Sequence, residues 1–173
     1  VSDMTNSTWN GVRGGLYPEG RNVPPPINMS AYESTISRIV PRSLDGAVDH
    51  VDGKIVMIGV GASNPRTEFN AFVAFAMADP LRCTNIVFAN TCVGGQGVQK
   101  MNQTSDSYWK NAEKVVDSLH CSNAQVQVAW VETDNTQDAD TTFPGAAERL
   151  ADQLFTLCST MRTFYPNLKV IYF

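Results

Sequence analysis

The fold is decided by the stretch Lys54-Ile-Val-Met-Ile-Gly-Val-Gly-Ala-Ser-Asn-Pro-Arg-Thr-Glu-Phe69. It opens with a continuous apolar run, Ile55 to Ile58, which is typical of a strand buried on both faces of a parallel sheet. Apolar residues then recur at helical spacing, at Phe69, Phe72, Val73 and Ala76. The stretch therefore predicts a strand and a helix joined by a short turn.

The turn itself has the residues that such a connection needs. Gly59 and Gly61 permit a sharp change of direction without a Cβ penalty. Asn64 suits the N-cap of the helix and Pro65 its first position. Ser63 is then expected at the carboxyl end of a strand and the amino end of a helix. Ligands of open α/β sheets bind at that edge, and helix amides there favour negative charge.

The same alternation continues to the end of the chain. Further strands are predicted at 85–90, 125–132 and 168–173, and further helices at 107–119 and 146–165. Strands that alternate with helices indicate a parallel sheet with right-handed crossovers. We assign 54–173 to this α/β core and 1–53 to an irregular arm that wraps it, with one short helix at Ser30 to Val40.

The predicted order of elements ends on a strand rather than a helix. A buried parallel strand is usually followed by a helix that covers one face of the sheet. We therefore expect a C-terminal piece of the domain to be missing from this sequence, or to be present as a second chain.

Composition and charge restrict the class of protein. The chain has 173 residues, of which 43% are hydrophobic and 17% charged, which indicates a globular domain rather than a disordered segment. The net charge of −4 and the absence of a basic run argue against nucleic-acid binding. No apolar segment reaches the roughly 18 residues of a membrane span.

Sequons and cysteines favour a secreted glycoprotein. Asn6-Ser-Thr, Asn28-Met-Ser and Asn102-Gln-Thr are glycosylation acceptors in stretches that resemble loops. Cys83 and Cys121 each precede a predicted strand, so a disulfide between them is our first choice of pairing. Cys92 and Cys158 pair elsewhere or stay free, and four buried free thiols are an equally open alternative.

Three loops that leave the carboxyl edge of the predicted sheet contain groups suited to acyl transfer. Ser63 provides a hydroxyl nucleophile, Gly94 and Gly95 provide backbone amides, and Asn135 provides a side-chain amide. The amides of Ser63 and Gly95, with the Asn135 side chain, are candidate oxyanion donors, each worth about 3 to 4 kcal/mol. The alternative is that Ser and Asn cap helices here and the glycines only make turns.

Three sequence blocks at these positions resemble those of the SGNH (GDSL-type) hydrolases. Gly61-Ala-Ser-Asn is similar to their first block, and Asn90-Thr-Cys-Val-Gly-Gly-Gln, with Gly95, to their second. Thr133-Asp-Asn-Thr is similar to the third, which places the oxyanion Asn at Asn135. Together with Gly15-Leu-Tyr-Pro-Glu-Gly, these pieces resemble a secreted subgroup of that superfamily. The resemblance implies a three-layer flavodoxin-like sandwich and a serine esterase.

The chain also departs from the pattern of this family. Ala62 replaces the Asp of the first block, and Thr136 replaces the second polar residue of the third. The Asp-x-x-His block that activates the serine is absent. His50 and His120 each precede a strand, so both are expected at the amino edge of the sheet, about 23 Å from Ser63 for a strand of about seven residues. Such a base must lie about 3 Å from its proton.

Two other functions fit individual motifs less well. Gly59-Val-Gly-Ala-Ser-Asn begins like a dinucleotide fingerprint, but Asn64 stands where its third glycine belongs. A second group, the acidic residues Glu132, Asp134, Asp138 and Asp140, resembles a calcium site, although solvated loop carboxylates are the favoured interpretation. We therefore expect no cofactor and no metal.

The sequence leads to two hypotheses for function. The first is a secreted esterase that removes acyl or acetyl groups, with extracellular glycans as the substrates that the family resemblance implies. Its catalytic residues are Ser63, Gly95 and Asn135, and its base comes from a C-terminal fragment or a second chain. The second is an extracellular carbohydrate-binding or assembly protein that keeps the fold without the reaction.

Overall fold

The computed structural model describes residues 7–173, apart from the side chain of Pro18. The chain divides into two compact units, one that ends at Arg38 and one that comprises Ile39–Phe173. The first unit contains a hairpin of β1 (Thr8–Trp9) and β2 (Val12–Arg13), followed by helix α1 (Pro26–Ile36).

Helix α1 begins and ends four residues before the short helix predicted at Ser30 to Val40. Pro25 is extended and Pro26 takes the first helical position, where proline's fixed φ suits a helix start. Asn28, one of the three sequon residues, is therefore exposed on a helix rather than in a loop. Asn6, another of them, lies outside the described residues.

The second unit is built on a four-stranded sheet in the order β4-β3-β5-β6, with every pair of neighbours parallel. Its strands are β3 (Ile55–Gly61), β4 (Ile86–Asn90), β5 (Val126–Glu132) and β6 (Val170–Tyr172). Its helices are α2 (Ser63–Ala78), α3 (Ser107–Ser118) and α4 (Gly145–Phe164). The prediction of a three-layer α/β sandwich with a parallel sheet is confirmed.

The two faces of the sheet are covered differently. Side chains of one face, including Val56, Ile58 and Val60, join the main core with residues of α3 and α4. At the centre of that core the buried Trp109 indole donates to the Met101 carbonyl at 3.0 Å. Helix α2 packs on the other face, where the ring of Phe69 covers Gly59.

Residues 39–53 group with the sheet rather than with the N-terminal unit. Arg42 and Lys54 exchange two backbone hydrogen bonds of 2.9 and 2.8 Å. The buried side chain of Gln127 donates to the Val40 carbonyl at 2.8 Å and accepts from the Val40 N–H at 3.2 Å. The first unit thus ends at Arg38, whereas the arm predicted from sequence extended to residue 53.

The start of α2 differs from the predicted cap. The helix begins at Ser63 itself, and the residue at its N-cap is Ala62, which has no side-chain capping bond. The prediction of Asn64 as N-cap is therefore wrong. The cause is the turn at Gly61 (φ 149°), after which the Arg66 N–H already bonds to the Ala62 carbonyl at 3.3 Å.

The predicted disulfide between Cys83 and Cys121 is absent, and all four cysteines are free. The two residues precede β4 and β5, but β3 lies between those strands. Two strand spacings separate the chains by about 9.6 Å. Disulfides require Cα atoms within about 7 Å, so this strand order disfavours the pairing. None of the described helices combines the length and apolar character of a bilayer span.

Candidate active site at the carboxyl edge of the sheet

A cleft of about 310 Å³ opens where β3, β4 and β5 end. Ser63 and Gly95, two of the three predicted site residues, both line it. The rest of its lining comes from the start of α2 and the loop after β5, at Ala62, Asn64, Pro65, Glu132, Thr133, Asp134 and Thr136. Because the cleft brings together a hydroxyl, a glycine and an open helix end, its groups suit acyl transfer.

Ser63 is held at the cleft by the turn that precedes it. The Gly61 N–H donates to the buried Tyr108 hydroxyl oxygen at 3.1 Å, which lies 3.5 Å from the Thr91 hydroxyl. A Cβ at Gly61 would overlap the Glu132 carbonyl oxygen. Ser63 is exposed at the first position of α2, where backbone N–H groups have no partner within the helix.

The loop after β4 reaches Ser63 because backbone pairing with β3 continues past the end of the strand. Thr91 N–H donates to the Gly59 carbonyl at 3.0 Å, and Val93 N–H donates to the Gly61 carbonyl at 2.9 Å. A Cβ on Gly94 would lie 3.9 Å from that of Ser63. Gly95 follows with φ 73°, in open space, so its conformation favours glycine.

Asn135 lies on the same rim but its side chain points elsewhere. The residues on either side of it, Asp134 and Thr136, line the cleft, whereas Asn135 itself does not. Its amide nitrogen donates to Gln153 of α4 at 3.1 Å, and its oxygen accepts from the Gln137 N–H at 3.0 Å. As an oxyanion donor Asn135 stays a prediction, because this role requires its amide to turn away from Gln153.

The loops after β4 and β5 are fastened to each other. The Val98 N–H donates to the Asp134 carbonyl at 2.8 Å, and the Gln99 amide donates to the Thr136 hydroxyl at 2.8 Å. Gly97 is packed so closely that a Cβ would lie 2.8 Å from the Asp134 carbonyl oxygen. These contacts were not predicted from the sequence. They join two loops that are far apart along the chain, so no local sequence pattern indicates them.

The carboxylate of Glu132, the last residue of β5, lines the cleft. Burial raises the pKa of the Glu132 carboxyl, and the neighbouring carboxyls of Glu68 and Asp134 raise it further. The proximity of Glu68 to Glu132 depends on the register of α2 over β3 and β5, which sequence reasoning did not supply. Cys92 is also buried nearby, and burial raises the pKa of its thiol to about 12.

The other acidic residues of this edge are engaged by a cation. Arg149 of α4 forms salt bridges of 3.1 Å with Asp138 and 2.6 Å with Asp140. Hydrogen bonds from Thr142 and then Arg149 lower the pKa of Asp140 to about 2. Among residues 7–173 no group of His, Cys, Asp and Glu side chains has the arrangement of a metal site.

Neither histidine of the chain reaches the cleft. His120 lines a separate pocket with Lys54 and Asp49. Lys54 directly precedes β3, so this pocket lies at the opposite, amino edge of the sheet. His50 follows Asp49 in the same amino-edge segment. The prediction that both histidines lie at the amino edge is confirmed, so neither can act as a base for Ser63 in this conformation.

Comparison with known proteins adds no family assignment. No family model matches the chain, and neither a curated protein nor a solved structure matches it.

Proposed function

We propose that this protein is a serine esterase of the SGNH type, secreted and acting on acyl or acetyl esters, with extracellular glycans as candidate substrates. The observation that carries the proposal is the cleft shared by Ser63 and Gly95, directly beside the amino end of α2. The positions of the three sequence blocks also support it, because each block lies at the end of a strand, β3, β4 or β5.

In this reaction the Ser63 hydroxyl attacks the ester carbonyl and loses its proton to a base. The backbone amides of Ser63 and Gly95 donate to the oxygen that becomes negative, and the helix end favours that charge. The bond to the alcohol then breaks, and the alcohol leaves with the proton. Water next attacks the acyl group on Ser63, which releases the acid and restores the hydroxyl.

The base is the part of this scheme that residues 7–173 do not supply. Both histidines lie at the amino edge, and the acidic side chains that line the cleft with Ser63 are those of Glu132 and Asp134. A histidine from a C-terminal fragment or a second chain completes the proposal. An assay of the esterase proposal therefore requires protein of full natural length.

A second candidate function is a non-catalytic binding or assembly protein that keeps this fold. Two observations favour it: the absence of a histidine at the cleft and the engagement of the Asn135 amide by Gln153. Under this alternative the cleft binds a polar ligand such as a glycan but leaves its ester bonds intact.

Hydrolysis of p-nitrophenyl acetate by protein of full natural length separates the two functions. The esterase proposal expects turnover that Ser63→Ala abolishes. Ser107→Ala is the matched control, because Ser107 is also the exposed first residue of a helix but does not line the cleft. Absence of turnover would favour the non-catalytic alternative, and equal turnover in Ser63→Ala would contradict the role of Ser63 as nucleophile.

A further inference from the structure

The two glycosylation sequons that the structure describes lie in different surroundings. In the sequence Asn28 and Asn102 are equivalent acceptors, because each precedes a hydroxyl residue by two positions. Asn28 lies in α1, in the first compact unit, whereas Asn102 lies in the loop between β4 and α3, in the second. An N-linked glycan is bulky, so it requires space beside the acceptor amide.

The side-chain amide of Asn102 is engaged by the protein itself. Its nitrogen donates to the Gln153 carbonyl at 3.1 Å and to the Val98 carbonyl at 3.3 Å, in the amide orientation that these two acceptors require. A primary amide has two N–H groups, so these bonds use both. A glycan replaces one of the two hydrogens with a sugar carbon, about 1.5 Å from the nitrogen. In either direction that carbon would overlap a backbone carbonyl oxygen.

The backbone around Asn102 is anchored to the core. The Thr160 hydroxyl donates to the Asn102 carbonyl at 2.9 Å, and the Trp109 indole donates to the carbonyl of the preceding residue, Met101, at 3.0 Å. Met101 and Trp109 are fully buried, and Thr160 is buried as well. This segment therefore cannot shift outward to make room for a sugar without breaking contacts with the core.

The Asn102 amide also helps to hold together the loops of the carboxyl-edge cleft. Gln153 of α4 accepts from Asn102 through its backbone carbonyl and from Asn135 through its side-chain oxygen. The loops after β4 and β5 are thus both bound to one residue of α4. A glycan on Asn102 would remove the link between α4 and the loop that carries Gly95, which lines the cleft.

The surroundings of Asn28 are open. The three residues of its sequon, Asn28, Met29 and Ser30, are all exposed, and α1 contains no buried residue. The backbone N–H of Asn28 donates to the Pro25 carbonyl at 2.9 Å, which fixes the start of the helix without using the side chain. A glycan on this amide displaces no contact of the hydrophobic core, because the core residues all belong to the second unit.

We propose that the protein carries an N-linked oligosaccharide on Asn28 and none on Asn102, where the folded chain itself occupies the acceptor amide. This assignment rests on the proposed secretion, because sequons are modified in secreted proteins. It does not depend on the esterase reaction.

Peptide mapping tests the assignment directly. The protein of full natural length is expressed in a eukaryotic host with Asn6→Gln, so that the sequon outside the described residues contributes nothing, and is recovered from the medium. Enzymatic deglycosylation in heavy-oxygen water converts each occupied Asn to a labelled Asp, which mass spectrometry locates. We expect label on the peptide that contains Asn28 and none at Asn102, in protein that unfolds cooperatively in urea.

Ser30→Ala and Thr104→Ala form a matched pair, because each removes one exposed sequon hydroxyl and leaves the Asn in place. Ser30→Ala should abolish the shift in electrophoretic mobility on deglycosylation, whereas Thr104→Ala should preserve it in full. In unglycosylated protein, Asn102→Asp tests the engagement of the amide, since a carboxylate cannot donate to two carbonyls. This variant should lower the urea midpoint by about 0.5 to 1.5 M, whereas Asn28→Asp should not lower it.

Three outcomes would overturn the proposal. One is label at Asn102 in folded protein, or loss of the mobility shift in Thr104→Ala. Another is exported protein without a glycan on Asn28. The third is an unchanged urea midpoint in Asn102→Asp. Failure of the proposed secretion is a separate result, seen when the natural protein stays inside the cell. A heterologous signal then carries the same chain through the secretory route, where occupancy of the two sequons is compared.

Discussion

Replacement of Gly61 by alanine tests the turn that presents Ser63. A Cβ at this position would overlap the Glu132 carbonyl oxygen and lie 2.5 Å from Cγ of Pro65. Glu132 pairs with Gly61 in the sheet and Pro65 is buried in α2, so neither group moves aside cheaply. The φ of 149° adds strain for any residue other than glycine.

The magnitude of this effect follows from two terms. Overpacking costs about 1 to 3 kcal/mol, and an unfavourable backbone conformation costs about 1 to 3 kcal/mol more. We therefore expect Gly61→Ala to reduce the free energy of unfolding by roughly 2 to 6 kcal/mol. With an m-value of about 2 kcal/mol per molar urea, the midpoint should fall by about 1 to 3 M.

Urea unfolding followed by tryptophan fluorescence measures the change, since Trp109 is fully buried in the core. Gly94→Ala is the matched control, because a Cβ there would meet only the Ser63 Cβ at an ordinary 3.9 Å. That variant should unfold within about 0.5 kcal/mol of the parent protein. If Gly61→Ala unfolds within about 1 kcal/mol of the parent protein at an unchanged m-value, the close packing inferred at this turn is refuted.

Other consequences of the structure can be measured separately. At pH 8 a thiol reagent should modify the exposed Cys83 rapidly. It should modify Cys92 only after unfolding in urea, because burial raises the pKa of the Cys92 thiol to about 12. Detection of fewer than four thiols in urea without reductant would contradict the finding that all four cysteines are free. The pKa of Glu132 is higher in the folded protein than its unfolded value of about 4.3, so protonation of this carboxyl favours the folded state. This contribution to stability is complete below about pH 4.3 and is lost as the pH rises through the folded pKa. Glu132→Gln should thus raise the urea midpoint at pH 7 but leave it nearly unchanged at pH 4, and an equal change at both would contradict the shift. Gln153→Ala removes the acceptor of the Asn135 amide and should cost about 1 kcal/mol in urea unfolding, whereas no loss would show that this hydrogen bond contributes little.

The sequence predicts the sheet well because β3, one of its inner strands, is almost entirely buried and appears in the sequence as a continuous apolar run from Ile55 to Ile58. The later helices α3 and α4 have apolar residues at helical spacing. The alternation of these elements then imposes a parallel sheet. Helix ends were less predictable: α2 begins at Ser63 with Ala62 at its N-cap, whereas the sequence predicted Asn64 as N-cap and Pro65 as the first helical residue.

Features that depend on the order of strands could not be read from the sequence. The Cys83–Cys121 pairing failed because β3 separates the two strands that follow these cysteines. The proximity of Glu68 and Glu132 was missed for the same reason, since it requires the register between a helix and a strand it does not adjoin in sequence. The direction of the Asn135 amide likewise depends on a contact with α4, 18 residues away along the chain.

Labelling with a fluorophosphonate, followed by peptide mapping of the intact natural protein, tests most directly whether Ser63 is a nucleophile. We expect a covalent phosphonate on the peptide that contains Ser63, no label on Ser107, and loss of labelling in Ser63→Ala. A folded protein of full natural length that carries no phosphonate at Ser63, or that carries it equally at Ser107, would contradict the role of Ser63 as nucleophile.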